Sequence, residues 1–141
     1  MTSLESLVGS EWSGTCELWE DPLGDQVQRS TCRMHVTEGA LQYSWSRRDK
    51  DDGEEHEHRG VIAWAGGEVS FTDSFHQAEK IACTRLHNAW GLLQAHYVYM
   101  KEWGWRIGVF FRAPTGELVI QMTNIAPWGE EARAVRMVAE R

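Results

Sequence analysis

Short alternating segments, separated by turn residues, run through the sequence from Glu11 onward. Polar and apolar side chains alternate over roughly five to nine residues in each segment, which is the period of a β-strand with one buried face. No helical period of any length interrupts this pattern. We therefore expect about ten strands, over residues 11–20, 28–37, 40–47, 55–64, 68–75, 80–86, 92–100, 105–113, 118–125 and 132–139.

Turn-forming residues separate these segments and leave only short connections, such as Glu38-Gly39, Gly66-Gly67 and the residues 114–116. Consecutive strands with short connections favour an antiparallel meander, and twist together with unpaired edges favours its closure. We predict an all-β fold: a single antiparallel up-and-down β-barrel domain over residues 1–141, with a short N-terminal helical turn covering one end. A two-sheet sandwich is the alternative.

The formal net charge of -7 disfavours nucleic acid and anionic membrane surfaces as partners. No segment has the roughly 20 apolar residues that a membrane-spanning helix needs, and residues 1–10 do not resemble a secretion signal. We therefore expect a cytoplasmic protein. The three cysteines, Cys16, Cys32 and Cys83, are expected as reduced thiols, with a disulfide between Cys16 and Cys32 as the alternative.

Side-chain parity along each segment predicts which residues face the barrel interior, and eight tryptophans make that interior rich in large rings. The predicted inward residues are Leu41, Tyr43 and Trp45; Phe71, Asp73 and Phe75; Leu93, Ala95, Tyr97 and Tyr99; Trp103, Trp105, Ile107, Val109 and Phe111; and Leu118, Ile120, Met122 and Asn124. Arg136 shares a face with Ala134 and Val138 in this pattern. An inward arginine would favour a carboxylate ligand.

Several polar residues lie on these apolar faces. Asp73 and Asn124 need hydrogen-bond partners in the protein or on a ligand, although Asp73 is also suited to capping a turn at a strand end. His56 and His58 have metal-ligand spacing, but no third ligand accompanies them, so we expect no metal. His76 and His96 are candidates for acid–base chemistry, yet neither belongs to a recognised catalytic motif.

Three stretches, at residues 73–76, 103–107 and 121–127, together resemble an uncharacterised bacterial family of single-domain, calycin-like barrels. The resemblance implies a lipocalin-like or fatty-acid-binding-protein-like barrel and no established activity. The related nitrobindins bind haem through a histidine late in the chain, and no histidine follows His96 here, so we expect no cofactor. In fatty-acid-binding proteins an Arg-x-Tyr pair holds the ligand carboxylate; the matching residues here are Arg136, Met137 and Val138.

The sequence thus predicts a protein that binds a small hydrophobic or aromatic ligand in the barrel interior. The predicted ligand-binding residues are Tyr43, Trp45, His58, Phe71, Asp73, His76, Tyr97, Tyr99, Trp105, Met122, Asn124 and Arg136. The alternative is a barrel enzyme, a cyclase, isomerase or hydrolase, in which His76, Asp73 or a tyrosine transfers a proton. A third alternative is a packed core with a functional surface, such as a homodimer, in which Trp19 or Trp128 would be exposed.

Overall fold

The computed structural model describes residues 2–87 and 90–141 and contains ten strands in one closed barrel. Each strand pairs antiparallel with the next along the chain, and the first pairs with the last. The predicted all-β, antiparallel up-and-down barrel is therefore confirmed, and closure excludes the two-sheet sandwich. The strands are β1 Glu11–Trp19, β2 Val27–Thr37, β3 Ala40–Arg48, β4 Glu55–Ala63, β5 Val69–Asp73, β6 Gln77–Leu86, β7 Leu93–Tyr99, β8 Trp103–Arg112, β9 Glu117–Ile125 and β10 Glu131–Glu140.

Helical structure among the described residues is confined to two 3-10 turns, Glu5–Leu7 and Ala65–Gly67. The first is the predicted N-terminal turn, and its buried Leu7 packs with Leu4 and Trp12 into the core. The Gly9 N–H also connects the N-terminal segment to β2, since it donates a hydrogen bond to the Val36 carbonyl at 2.8 Å. The N-terminal turn therefore covers the barrel end at which β2 meets β3.

The closing seam between β1 and β10 has no room for a side chain at Gly14. Gly14 pairs with Ala139, and a Cβ atom there would lie 1.9 Å from the Val138 carbonyl oxygen. Because the obstructing atoms belong to the backbone, they cannot rotate away. Gly14 therefore allows β1 and β10 to approach closely enough to close the barrel.

The middle of the barrel is filled by side chains from the inner faces of the strands. The largest fully buried residues include Trp45, Phe71, Leu41, Ile62, Ile107, Leu118, Ile120, Met122 and Met137. Burial of each such apolar side chain contributes roughly 1.5–3 kcal/mol, so this packing supplies the main stabilisation of the fold.

All three cysteines are free. Cys16 and Cys32 lie on adjacent strands but are out of register, because Cys16 faces Ser30 and Cys32 faces Gly14. Burial raises the pKa of each of these two thiols to about 12, so both stay protonated at neutral pH. The alternative Cys16–Cys32 disulfide is absent.

Within residues 2–87 and 90–141, no helix is both long enough and apolar enough to cross a membrane.

Candidate functional site

A cleft of about 770 Å³ opens at the end of the barrel opposite the N-terminal turn. The connections β1–β2, β3–β4, β5–β6, β7–β8 and β9–β10 all meet at this end, because an up-and-down meander alternates its turns between two ends. The lining combines charged side chains with six aromatic ones: Trp19, Phe75, His76, Trp103, Trp105 and Trp128. We call this space the mouth cleft.

Asp73 lies behind the wall of the mouth cleft and is fully buried. Its Oδ2 accepts hydrogen bonds from the Tyr43 hydroxyl at 2.5 Å and the Trp45 indole at 3.4 Å. Its Oδ1 accepts from the backbone N–H groups of Phe75 and His76, at 2.8 Å and 2.9 Å. Asp73 thus caps the β5–β6 turn, as the alternative interpretation of the sequence predicted. It also accepts the hydrogen bonds of the buried Tyr43 hydroxyl and Trp45 indole.

A glycine allows Tyr43 to reach Asp73. Tyr43, Gly60 and Asp73 lie side by side on β3, β4 and β5. A Cβ atom on Gly60 would lie 2.2 Å from the Tyr43 hydroxyl oxygen, so the tyrosine ring occupies the space that a side chain would fill. The phenol crosses β4 at this point and reaches the carboxylate on the next strand.

The protonation states of this pair follow from its environment. Burial favours a neutral Asp73, but the His76 side chain, the Tyr43 hydroxyl and the His76 backbone N–H outweigh it and lower the pKa of Asp73 to about 2. Burial and the neighbouring Asp73 charge raise the pKa of Tyr43 well above its usual value. At neutral pH an ionised Asp73 therefore faces a protonated Tyr43.

His76 connects Asp73 with the mouth cleft. Its Nδ1 lies 3.4 Å from Asp73 Oδ1, at ion-pair distance but without hydrogen-bond geometry. Its ring stacks on Trp45, with the centroids 5.7 Å apart, and packs at a tilt against Trp105, with the centroids 4.9 Å apart. The His76 side chain is 12% exposed and lines the cleft. Packing on two indoles beside a fixed carboxylate holds the imidazole in one orientation.

Trp105 and Asn124 lie directly opposite each other on β8 and β9, and both line the mouth cleft. The buried Trp105 Nε1 has no hydrogen-bond acceptor among the described residues. The Tyr99 hydroxyl donates to Asn124 Oδ1, which directs the Asn124 amide nitrogen away from Tyr99. The two residues therefore place N–H groups in the wall of the cleft.

An ion-pair network borders the mouth cleft on the side of the β3–β4 connection. Glu20 accepts from Arg47 at 3.1 Å and from Lys50 at 2.8 Å. Burial raises the pKa of Glu20, but the two cations outweigh this and lower it. The Arg47 guanidinium lies 4.9 Å from the centre of the Phe75 ring, a cation–π contact that fixes this part of the rim.

The structure assigns the twelve predicted site residues to different environments. Three line the mouth cleft (His76, Trp105 and Asn124), while Tyr43, Trp45, His58, Asp73 and Tyr99 contact these three or one another. His58 packs on Trp45, with ring centroids 4.9 Å apart, and burial lowers its pKa. Phe71, Tyr97 and Met122 belong to the packed core.

The predicted inward position of Arg136 is wrong. Arg136 pairs with Glu17 on one side and Gln121 on the other, both of them on the outer face. Val135, Met137 and Ala139 fill the inner face instead. A bulge between Arg133 and Val135 breaks the alternation, so that Ala134 and its neighbour Val135 are both buried. Counting alternate residues from Ala134 therefore places Arg136 on the wrong face.

Sequence reasoning missed much of the rim. Trp103 was predicted to face inward but was not assigned to the site, and its ring packs against the 72% exposed Trp128 at 5.8 Å. Trp19, by contrast, is half-buried. The exposed Trp128 matches the surface alternative, although it also lines the cleft. Proximity of Trp103 to the β7–β8 turn was the available signal.

One cluster among the described residues has metal-ligand geometry: Asp49, Asp52 and His56, with ligand atoms within 4.8 Å of one another. Two of its members are exposed, and all three lie on or beside the β3–β4 connection. His56 Nε2 already contacts Asp52 Oδ2 at 3.0 Å. His58, the other member of the predicted pair, is not part of the cluster.

Comparison with protein-family models finds no match to this sequence, and comparison with curated proteins finds no significant match.

Proposed function

We propose that this protein binds a small, partly aromatic or apolar molecule in the mouth cleft. The observation that carries the proposal concerns Trp105, which lines the cleft and whose buried N–H has no acceptor among the described residues. Buried donors without partners are rare, since leaving one unsatisfied costs about 1–3 kcal/mol. A ligand acceptor at this position would remove the penalty.

The lining defines the chemistry of the ligand. Trp103, Trp128 and Phe75 favour a flat apolar body. Trp105 and Asn124 add N–H donors side by side, so the ligand should carry a carbonyl, carboxylate or similar acceptor. The interior below is packed, which limits the ligand to the end of the barrel.

Anilinonaphthalenesulfonate is a suitable probe, because it combines a flat aromatic body with an anionic acceptor. We expect saturable binding to the intact protein, with a fluorescence change. Trp105→Phe should weaken it about three- to tenfold, the effect of one hydrogen bond. Trp64→Phe is the matched control, since Trp64 lies beside the β4–β5 connection at the other end. A linear titration, or equal affinity in both variants, would contradict the proposal.

A second candidate is supported by the Asp73–His76 pair. An ionised carboxylate 3.4 Å from an imidazole that lines a cleft is suited to general acid–base catalysis, as in a hydrolase, cyclase or isomerase. Hydrolysis of p-nitrophenyl acetate tests the hydrolase form. Loss of turnover in His76→Asn but not in the exposed control His56→Asn would support it, and unchanged turnover in His76→Asn would exclude this role for His76.

The relationship to calycin-like barrels is likewise a proposal. It is supported by the closed ten-strand meander and by the position of residues from 73–76, 103–107 and 121–127 around one cleft. A cytoplasmic location is supported by the free thiols of Cys16, Cys32 and Cys83.

A further inference from the structure

Three arginines surround a shallow recess of about 250 Å³ on the outer face of the barrel, over β8, β9 and β10. Arg106 and Arg133 flank Thr123 on its two sides, and Arg136 lies beside Gln121, two residues along β9. The recess shares Arg133 and Glu131 with the lining of the mouth cleft, whereas its Thr123 and Gln121 face away from the barrel interior. We call it the arginine recess.

The bulge in β10 creates this cluster. Arg133 and Arg136 are three residues apart, and a regular strand would place them on opposite faces. The register shift between Arg133 and Val135 instead sets both opposite outward residues, Thr123 and Gln121. Bulges commonly redirect side chains at functional positions.

The charges in the recess are only partly compensated. Arg106 is neutralised by Glu131, with contacts of 2.5 Å and 3.3 Å. Among the described residues, neither Arg133 nor Arg136 forms an ion pair within 4.0 Å. The nearby carboxylates have other partners: Glu17 pairs with Arg29 at 3.6 Å, and Glu117 pairs with Arg112 at 3.1 Å.

Arg136 also has a donor in need of an acceptor. Its Nε is buried and makes no hydrogen bond among the described residues. Arg133 is exposed, and its guanidinium lies 5.8 Å from the Trp19 ring, a contact that leaves its N–H groups free to donate. Gln121 and Thr123 add an amide and a hydroxyl between the two arginines. This set of donors suits an oxyanion with several acceptor oxygens.

We propose that the arginine recess binds a soluble phosphate, either the free ion or a phosphate monoester, through Arg133 and Arg136. Planar guanidinium groups match the geometry of phosphate oxygens. The Arg136 charge acts on Glu117 as well, but neither Arg133 nor Arg136 forms an ion pair within 4.0 Å among the described residues, so both cations can face a doubly charged anion. The formal net charge of -7 repels anions from the surface in general, so this binding depends on the local cluster.

Heteronuclear NMR of the full chain with inorganic phosphate, at constant ionic strength, tests the proposal. We expect saturable shifts of the Arg136 Nε–H signal and the Gln121 and Thr123 amides. Arg136→Gln should weaken binding about tenfold, since it removes charge-assisted hydrogen bonds. Arg59→Gln is the matched control, since Arg59 is an exposed arginine on β4 that pairs with Glu57, away from the recess. Equal affinity of the two variants, or shifts reproduced by chloride alone, would overturn the proposal.

Two further experiments test the role of the Arg136 guanidinium group and the source of the bound phosphate. Arg136→Lys keeps the positive charge but removes the planar set of guanidinium donors. The variant should therefore bind phosphate more weakly than the intact protein. Unchanged affinity for phosphate would contradict binding through the Arg136 guanidinium group. Sedimentation with vesicles containing phosphatidic acid should leave the protein in the supernatant. Binding to vesicles without binding to free phosphate would overturn assignment to a soluble anion.

Discussion

The Tyr43 hydroxyl donates a 2.5 Å hydrogen bond to the fully buried Asp73 carboxylate across the backbone of Gly60. This contact joins β3 to β5, two strands that are not neighbours in the sheet. It therefore ties the first half of β3 to the cleft-side end of β5, independently of the ladder hydrogen bonds. His76, whose backbone N–H also donates to Asp73, takes its position from the same carboxylate.

Tyr43→Phe should lower the free energy of unfolding by about 1.5–3 kcal/mol, because the lost hydrogen bond has a charged acceptor in a buried site. Denaturant unfolding measures the change. Tyr97→Phe is the matched control, since Tyr97 is equally buried but does not bond to Asp73. Equal losses in the two variants would show that the hydrogen bond to Asp73 has no special contribution.

Gly60→Ala should be more damaging than Tyr43→Phe. The added methyl would displace the tyrosine ring, so overpacking of about 1–3 kcal/mol adds to the broken hydrogen bond. Gly108→Ala is a useful comparison, since its Cβ would meet only the edge of the half-buried Phe110 ring, which can rotate. A Gly60→Ala protein as stable as Gly108→Ala would contradict the crossing of β4 by Tyr43.

Asp73 makes the stability of the barrel depend on pH in the acid range. Its pKa is about 2 in the folded protein against 3.8 for the free side chain. The folded state thus binds fewer protons between these values, and about 2 kcal/mol of stability, present above pH 4, is lost as the pH falls towards 2. Unfolding measured across this range should show that loss, and Asp73→Asn should remove it. An unchanged pH slope in Asp73→Asn would assign the loss to other carboxylates.

Gly14→Ala should open the seam between β1 and β10. The new Cβ would lie 1.9 Å from a backbone oxygen of β10, so the strands must separate. We expect amide hydrogen exchange to accelerate in β1 and β10 before it does in β7 and β8. Ser13→Ala, an exposed change at the neighbouring position, should leave exchange unaltered. Uniform acceleration across all strands would instead indicate global destabilisation.

The local period of the sequence was sufficient to predict ten strands and the barrel. The strand predicted over 68–75 ends at Asp73, however, so Phe75, predicted to face inward, lies in the β5–β6 turn and is 41% exposed. Alternation is set residue by residue, so it also placed Tyr43, Trp45 and Asp73 on the inner face correctly. The hydrogen bond from Tyr43 to Asp73 across Gly60 could not be predicted in this way, because it depends on which strands are neighbours in the sheet. A glycine inside a predicted strand was the only local signal.

The errors and omissions have a related cause. Arg136 was assigned to the wrong face because a bulge changes parity without a mark in the sequence. The rim residue Trp128 was not assigned to the site because it lies in a connection, whose position is set only when the barrel closes. Arg47 was missed although it lies in β3, because a charged side chain near a strand end gives no local sign that it will line a cleft. Inner-face residues of regular strands were thus largely predictable from the chain, whereas residues of strand ends, connections and irregular segments were not.

The pairing of β1 with β10 also determines the order in which this chain can assemble. Every other strand pair is a hairpin between sequence neighbours, whereas the seam joins residues from opposite ends of the barrel sequence, such as Leu18 and Val135. Contacts so distant along the chain form slowly, because a long loop must close first. During synthesis on the ribosome, β1 therefore keeps an unpaired edge until Glu131–Glu140 has emerged, so of all the strand edges in the nascent protein this one is open to aggregation for the longest time.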